Sequence, residues 1–239
     1  MPIPAGLPII QHFRKVWGHF VGYFITFEGI EGSGKTTQIG LLGEQLESLG
    51  YSVVMTREPG GCAISDKIRS ILLDADNSSI SPMTELLLYA AARAQHVSEV
   101  IIPALKQGNI VLCDRFSDAT LAYQGSGRGI AREKVDTLNQ LACQSLRPDL
   151  TVLIDCDVSV GLERARRRIE TASGPREERF ELEALEFHRS VREAYLELAH
   201  AEPQRFITVD GSGGVEEISE AIVAQVLQNR LNNTSHALL

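Results

Sequence analysis

From Tyr23 onward the chain alternates short apolar runs with longer stretches of helical periodicity. The runs Phe24–Phe27, Ser52–Thr56, Ile110–Cys113, Leu150–Ile154 and Phe206–Val209 predict five strands, mostly of β-branched and aromatic residues. Four of them show little alternation of polar and apolar positions, the pattern of strands covered on both faces of a parallel sheet. Between them, helical spacing of apolar residues follows Lys35 and recurs over 64–73, 82–105, 133–145, 158–169, 182–199 and 215–231. Ser81 before Pro82 is a helix N-cap followed by proline at the first helical position. The expected fold is α/β: a doubly wound five-stranded parallel sheet with helices on both faces. Ligands then bind outside the carboxyl ends of the strands.

Residues 1–21 stand outside this alternation. They are weakly amphipathic and basic, and they lack the apolar core and cleavage site of a signal peptide. They read as a loosely ordered extension, with a membrane-surface helix as the alternative. The folded domain is expected over 22–232, followed by a tail at 233–239.

Composition narrows the function classes. A chain of 239 residues supports one good-sized core. The formal net charge of −8 argues against nucleic acid or an anionic membrane as partner, while permitting a local basic pocket. Cys62, Cys113, Cys143 and Cys156 form no C-x-x-C or His/Cys pairing, so they read as reduced thiols of an intracellular, cytoplasmic protein. No apolar run is long enough to span a bilayer.

The first strand leads into Gly29-Ile30-Glu31-Gly32-Ser33-Gly34-Lys35-Thr36-Thr37, which fits G-x-x-x-x-G-K-[ST] between a strand and a helix. The glycines free backbone N–H groups to converge on phosphate, and the helix N-terminus adds partial positive charge. Lys35 is expected on the β/γ-phosphates and the Thr36 hydroxyl on Mg²⁺. The motif implies a nucleotide's phosphates, but not a reaction.

The other strand ends carry further polar residues. After the second strand come Arg57 and Glu58 before Pro59-Gly60-Gly61, either a plain turn or a ligand-facing pair. Arg69, on the helix beyond, is either a solvated residue or a phosphate contact. The third strand ends in Asp114-Arg115, as a Walker B strand does, with the carboxylate toward Mg²⁺ and the guanidinium either a phosphate clamp or one half of a structural salt bridge. Tyr89 and Arg93 share a helix face, though packing explains such a pair equally well. Residues 117–129, polar and with Gly125, Gly127 and Gly129, read as a loop. Two arginine-rich arms flank a breaker at 171–175, an arrangement resembling a hinged lid over about 163–181.

Taken together, these segments resemble the bacterial thymidylate kinase family. The likeness runs from about Tyr23 to Leu231. It rests on Phe27–Thr37, Thr56–Gly61, Tyr89–Gln95, Asp114-Arg115, Leu121–Gly125, Arg147–Leu150 and Glu178–Glu181. The resemblance implies a P-loop, nucleoside monophosphate kinase-like fold with a small lid, usually a homodimer, transferring phosphoryl from ATP to dTMP with Mg²⁺. It implies that Tyr89 stacks on thymine, that Arg93 and Gln124 contact the base edge, and that Thr120 lines the base pocket. Tyr123 would crowd the sugar 2′ position. Arg57, Arg69 and Arg115 would surround the acceptor phosphate, and Glu31 and Glu58 would lie near the sugar 3′-hydroxyl. Because the position after Glu31 is Gly32 and not arginine, the missing charge is expected from the lid, from among Arg164, Arg166, Arg168 and Arg179. Thus Lys35, Arg115, Glu31, Arg164, Arg168 and Arg179 are the expected catalytic residues. Another nucleoside monophosphate kinase is the nearest rival. A P-loop switch is the more distant one, and the chain has no N-K-x-D sequence for guanine.

Overall fold

The computed structural model describes residues 22–171 and 178–236. The N-terminal extension 1–21, the lid centre 172–177 and residues 237–239 lie outside the described residues.

Five parallel strands form one sheet: β1 (Tyr23–Glu28), β2 (Val53–Arg57), β3 (Ile110–Asp114), β4 (Leu150–Asp155) and β5 (Phe206–Asp210), in the order β2-β3-β1-β4-β5. Around them lie α1 (Lys35–Ser48), α2 (Ala63–Leu73), α3 (Pro82–His96), α4 (Ile102–Lys106), α5 (Ser117–Thr120), α6 (Arg132–Cys143), α7 (Val158–Thr171), α8 (Leu185–Ala201) and α9 (Val215–His236). The doubly wound expectation holds.

The period-two pleat sorts the core. Tyr23, Ile25 and Phe27 of β1 pack with Ile39, Leu42 and Leu46 of α1 and Ile218, Ile222 and Val226 of α9. Phe24 faces the other side, with Val97, Ile101 and Phe116. Each such fully buried side chain contributes about 2 kcal/mol of burial free energy. Burial on both faces holds for the central strands β1, β3 and β4, but not for four strands as expected. The edge strand β2 leaves Met55 half exposed, and β5 alternates.

Three element boundaries differ from the sequence reading. The segment read as a loop is helical: α5 runs into a π-helical stretch over Leu121–Gly127. Its glycines misled, because Gly127 is there for close packing; a Cβ on it would stand 2.6 Å from the Phe187 ring. The predicted helix over 82–105 is interrupted by a π-helical Val97–Ile101. Pro103 just beyond lacks the N–H that an α-helical ladder needs, and the wider register accommodates it. The last helix reaches His236, past its expected end near 231; no Gly or Pro intervenes to stop it.

Every strand ends on an ionisable residue: Glu28, Arg57, Asp114, Asp155 and Asp210. Because all strands run the same way, these residues share one edge of the sheet. No helix of the described residues is long and apolar enough to cross a membrane.

Candidate active site

The loop between β1 and α1 is shaped by two glycines. Gly29 and Gly32 have φ of 139° and 69°, values L side chains rarely adopt. A Cβ at Gly32 would fall 1.9 Å from the Gly161 carbonyl oxygen of α7, and one at Gly161 would fall 2.5 Å from the Glu31 carbonyl oxygen. Loop and helix therefore meet backbone to backbone, and no side chain fits at position 32. Lys35 is buried, its Nζ donating to the carbonyls of Gly29 (3.0 Å) and Ile30 (2.7 Å) and to Ser33 Oγ (3.2 Å). Burial, and then repulsion from Arg115, brings its ammonium down to about 8.

Strand order places β3 beside β1, so Asp114 meets the loop. Thr36 Oγ1 donates to Asp114 Oδ2 at 2.7 Å, which joins the two residues expected at the metal. These hard oxygens, beside a loop whose buried ammonium turns onto carbonyls, fit Mg²⁺ and phosphate.

Arg115, the next residue, is in the left-handed region at φ 68°. That uncommon backbone turns its side chain across the end of β1. Its NH2 donates to Glu31 Oε1 (3.2 Å), its NH1 to Tyr195 OH (3.2 Å), and its guanidinium lies 4.8 Å from the Tyr123 ring centroid. Tyr123 OH also donates to Glu31 Oε1, at 2.5 Å. His188 Nδ1 stands 3.2 Å from the other oxygen, Oε2. Burial by itself would raise the Glu31 carboxyl, but His188, Arg115, Tyr123 and Lys35 together hold it at about 2. Beneath them, Glu28 accepts from Phe116 N–H and Tyr195 OH, both at 2.7 Å. Burial, reinforced by Asp118, lifts the Glu28 carboxyl to about 8.

A second group gathers after β2. Glu58 is buried between Arg93 Nε (2.7 Å) and His96 Nδ1 (3.0 Å), and His96 Nε2 lies 2.7 Å from Thr56 Oγ1. Arg93 also donates to Asn139 Oδ1 (2.7 Å) and the Phe116 carbonyl (3.0 Å). Arg93, expected at the base edge, and Glu58, expected near the sugar 3′-hydroxyl, form one ion pair. Arg69 donates to the Pro59 carbonyl (3.0 Å), and Arg57 is exposed on Asp66 (3.3 Å).

Next to this lies a group of mixed character. Tyr89 packs against the ring of Phe180 at 6.4 Å, and Thr120 Oγ1 is buried with no hydrogen-bond partner among the described residues. Gln124 donates to Glu85 Oε1 (2.8 Å), an acid buried within α3 that Arg128 also grips by two nitrogens, each at 3.1 Å. Burial works against the charged form of Glu85, but Arg128 and Gln124 keep its carboxyl below the usual range.

The lid arginines divide. Arg164 NH1 donates to the Gly211 carbonyl (3.2 Å) beyond β5, and Arg168 is exposed, 3.6 Å from Glu181. Arg179 is buried, with Nε on the Leu72 carbonyl, NH2 2.8 Å from Glu85 and its guanidinium over Phe180. Arg179, expected among the catalytic residues, is thus held by Glu85 and the Leu72 carbonyl in this arrangement.

The family model described as thymidylate kinase matches residues 27–222 of this chain. The chain belongs to the thymidylate kinase family. It is 61% identical over 207 residues to the thymidylate kinase of Geotalea uraniireducens, covering 87% of this chain and 97% of that protein. The thymidylate kinase of Geobacter sulfurreducens is 61% identical over 211 residues, 88% and 99% of the two chains. The crystal structure of thymidylate kinase from Ehrlichia chaffeensis superposes with a TM-score of 0.70 at 33% identity, over 87% of this chain and all of that one. The chain is accordingly a phosphotransferase with dTMP kinase activity, and its donor is ATP.

Several residues that the structure brings to this region were not picked out in the sequence. Glu28 and Glu85 are single acids inside apolar runs, and a buried acid without an adjacent cation signals a tertiary partner. His188 and Tyr195 fall in the apolar stripe 188-191-195-198 of α8, where the period calls for leucine. That misfit was the available signal. His96 and Asn139 had none.

Proposed function

We propose that this kinase transfers the γ-phosphoryl group of ATP in line to the phosphate of dTMP, with Mg²⁺, making dTDP for dTTP synthesis in the cytoplasm. The observation that carries the reading is the junction at Glu31. One loop holds the donor-side Lys35 and an acceptor-side carboxylate shared by Arg115 and Tyr123.

The acceptor phosphate is already an anionic nucleophile, so no general base is needed, and the chemistry reduces to positioning and charge neutralisation. Lys35, protonated at neutral pH and aimed along the loop, takes the donor phosphates. Thr36 and Asp114 hold Mg²⁺, which when bound neutralises charge on the donor phosphate oxygens. Arg115, aided by Arg57 and Arg69, holds the acceptor phosphate. Tyr89 stacks on the base, the orphaned Thr120 hydroxyl and the Gln124 amide read its edge, and Tyr123 excludes a 2′-hydroxyl. Arg93 both faces the base and fixes Glu58. Arg164 and Arg168 supply charge from the lid, whose closure excludes water as a competing acceptor.

The active unit is a homodimer. Ile64 and Ile71 on α2, Met83 and Leu87 on α3 and Leu141 on α6 are exposed large apolar residues on helices that pack side by side.

A coupled ADP-release assay with dTMP, dUMP, UMP, AMP and no acceptor, with and without Mg²⁺, tests the reading. ADP released equally without acceptor, or turnover unaffected by chelation, would sink it.

A further inference from the structure

Helix α8 leaves the lid and carries two polar groups on its buried face. His188 and Tyr195 lie seven residues apart, two helical turns, and so project on the same side. Both end on the machinery described above: His188 on Glu31, and Tyr195 between Arg115 and Glu28.

Glu31 is thereby held from two directions. Its Oε1 is taken by Tyr123 OH and Arg115 NH2, which come from the β3 side of the site. Its Oε2 faces only His188 Nδ1 among the described ion pairs. Without the imidazole, the orientation of this carboxylate would rest on Tyr123 and Arg115 alone, with nothing opposing them at Oε2 among the described ion pairs. Packing does not explain a histidine there. His188 is fully buried; its Nδ1 approaches Glu31 Oε2 at 3.2 Å as an ion-pair contact outside hydrogen-bond geometry, and its Nε2 has no hydrogen-bond partner among the described residues, a cost that leucine at this stripe position would remove. The imidazole is also tied to the lid side: its ring lies edge-on to Phe187 at 5.5 Å, and Phe187 packs on Phe180 at 6.2 Å and on Tyr123 at 6.0 Å.

We propose that His188 is a positioning residue for phosphoryl transfer, locking Glu31 from the helix that leaves the lid so that Glu31 and Arg115 present one fixed edge to the acceptor nucleotide. Tyr195 does the same for the opposite edge of Arg115. The inference rests on the acceptor-side role of Glu31 given above.

A double-mutant cycle on the full chain tests it, with His188→Leu, His188→Asn and Glu31→Gln singly and in pairs, and turnover expressed per folded molecule. His188→Leu is expected to lower kcat about tenfold or more, with KM for ATP within about twofold, since the close polar contact on Glu31 Oε2 is lost. His188→Asn, which keeps a donor, is expected to recover most of that loss. Both effects should vanish in the Glu31→Gln background. A kcat for His188→Leu within about twofold of the parent overturns the proposal. So do effects of His188 and Glu31 that multiply in the pair, which is the signature of a merely structural histidine. Should the leucine variant not fold, His188→Asn and its pairing with Glu31→Gln decide by the same criterion. Glu31→Gln without any effect takes down the acceptor role itself; a Glu31 effect with a multiplying His188 effect takes down this inference alone.

Discussion

Glu31 is eight per cent exposed, yet four groups oppose the protonation that burial favours. Its carboxyl sits at about 2 against an ordinary 4.5, so its contribution to stability is fully present above pH 4.5 and is lost as pH falls toward 2. The melting-temperature gap between the parent and Glu31→Gln should therefore be widest above pH 4.5 and close on acidification. A gap independent of pH would contradict the assigned charge. The lid arginines separate at the same scale. On the lid role proposed for Arg168, whose guanidinium is exposed, Arg168→Ala should lower kcat more than it raises KM for dTMP. Arg179→Ala should instead cost about 2 kcal/mol of stability, measured by denaturant unfolding, since it uncovers the buried Glu85 and the Leu72 carbonyl. Residue type alone could not separate these two arginines; burial did.

At the scale of elements, the contact between α7 and the phosphate loop is tightly constrained. Gly161 lies within a helix, where alanine ordinarily stabilises by about 1 kcal/mol. Here Gly161→Ala should do the opposite and reduce turnover by on the order of 10²-fold, because its Cβ would push the Glu31 carbonyl and misplace the loop. Steady-state kinetics and a thermal melt check both halves, and an improved helix with unchanged kcat would refute the contact's importance. The P-loop, its entering strand and its leaving helix were all legible from local pattern, because phosphate binding depends on backbone shape that glycine spacing encodes directly. The helical character of 117–127 was not. Its glycines serve packing against Phe187, and glycine for a turn and glycine for close approach look the same in one dimension.

For the whole molecule, the exposed apolar residues on α2, α3 and α6 bear on assembly. Leu87→Glu places a charge in the middle of that face and should convert a dimer to a monomer by light scattering during gel filtration, with little change in melting of the isolated chain. A parent that is already monomeric would remove the homodimer reading. The sequence by itself determined the fold class, the donor site and the family resemblance, because strand runs, helix periods and the phosphate loop are each written within a few consecutive residues. The tertiary structure alone decided which side chains share the site. Glu31 and Arg115 are 84 residues apart, and Tyr195 lies 167 residues from Glu28. They meet only because β1 lies between β3 and β4 and α8 packs over their shared edge, and no local pattern carries strand order.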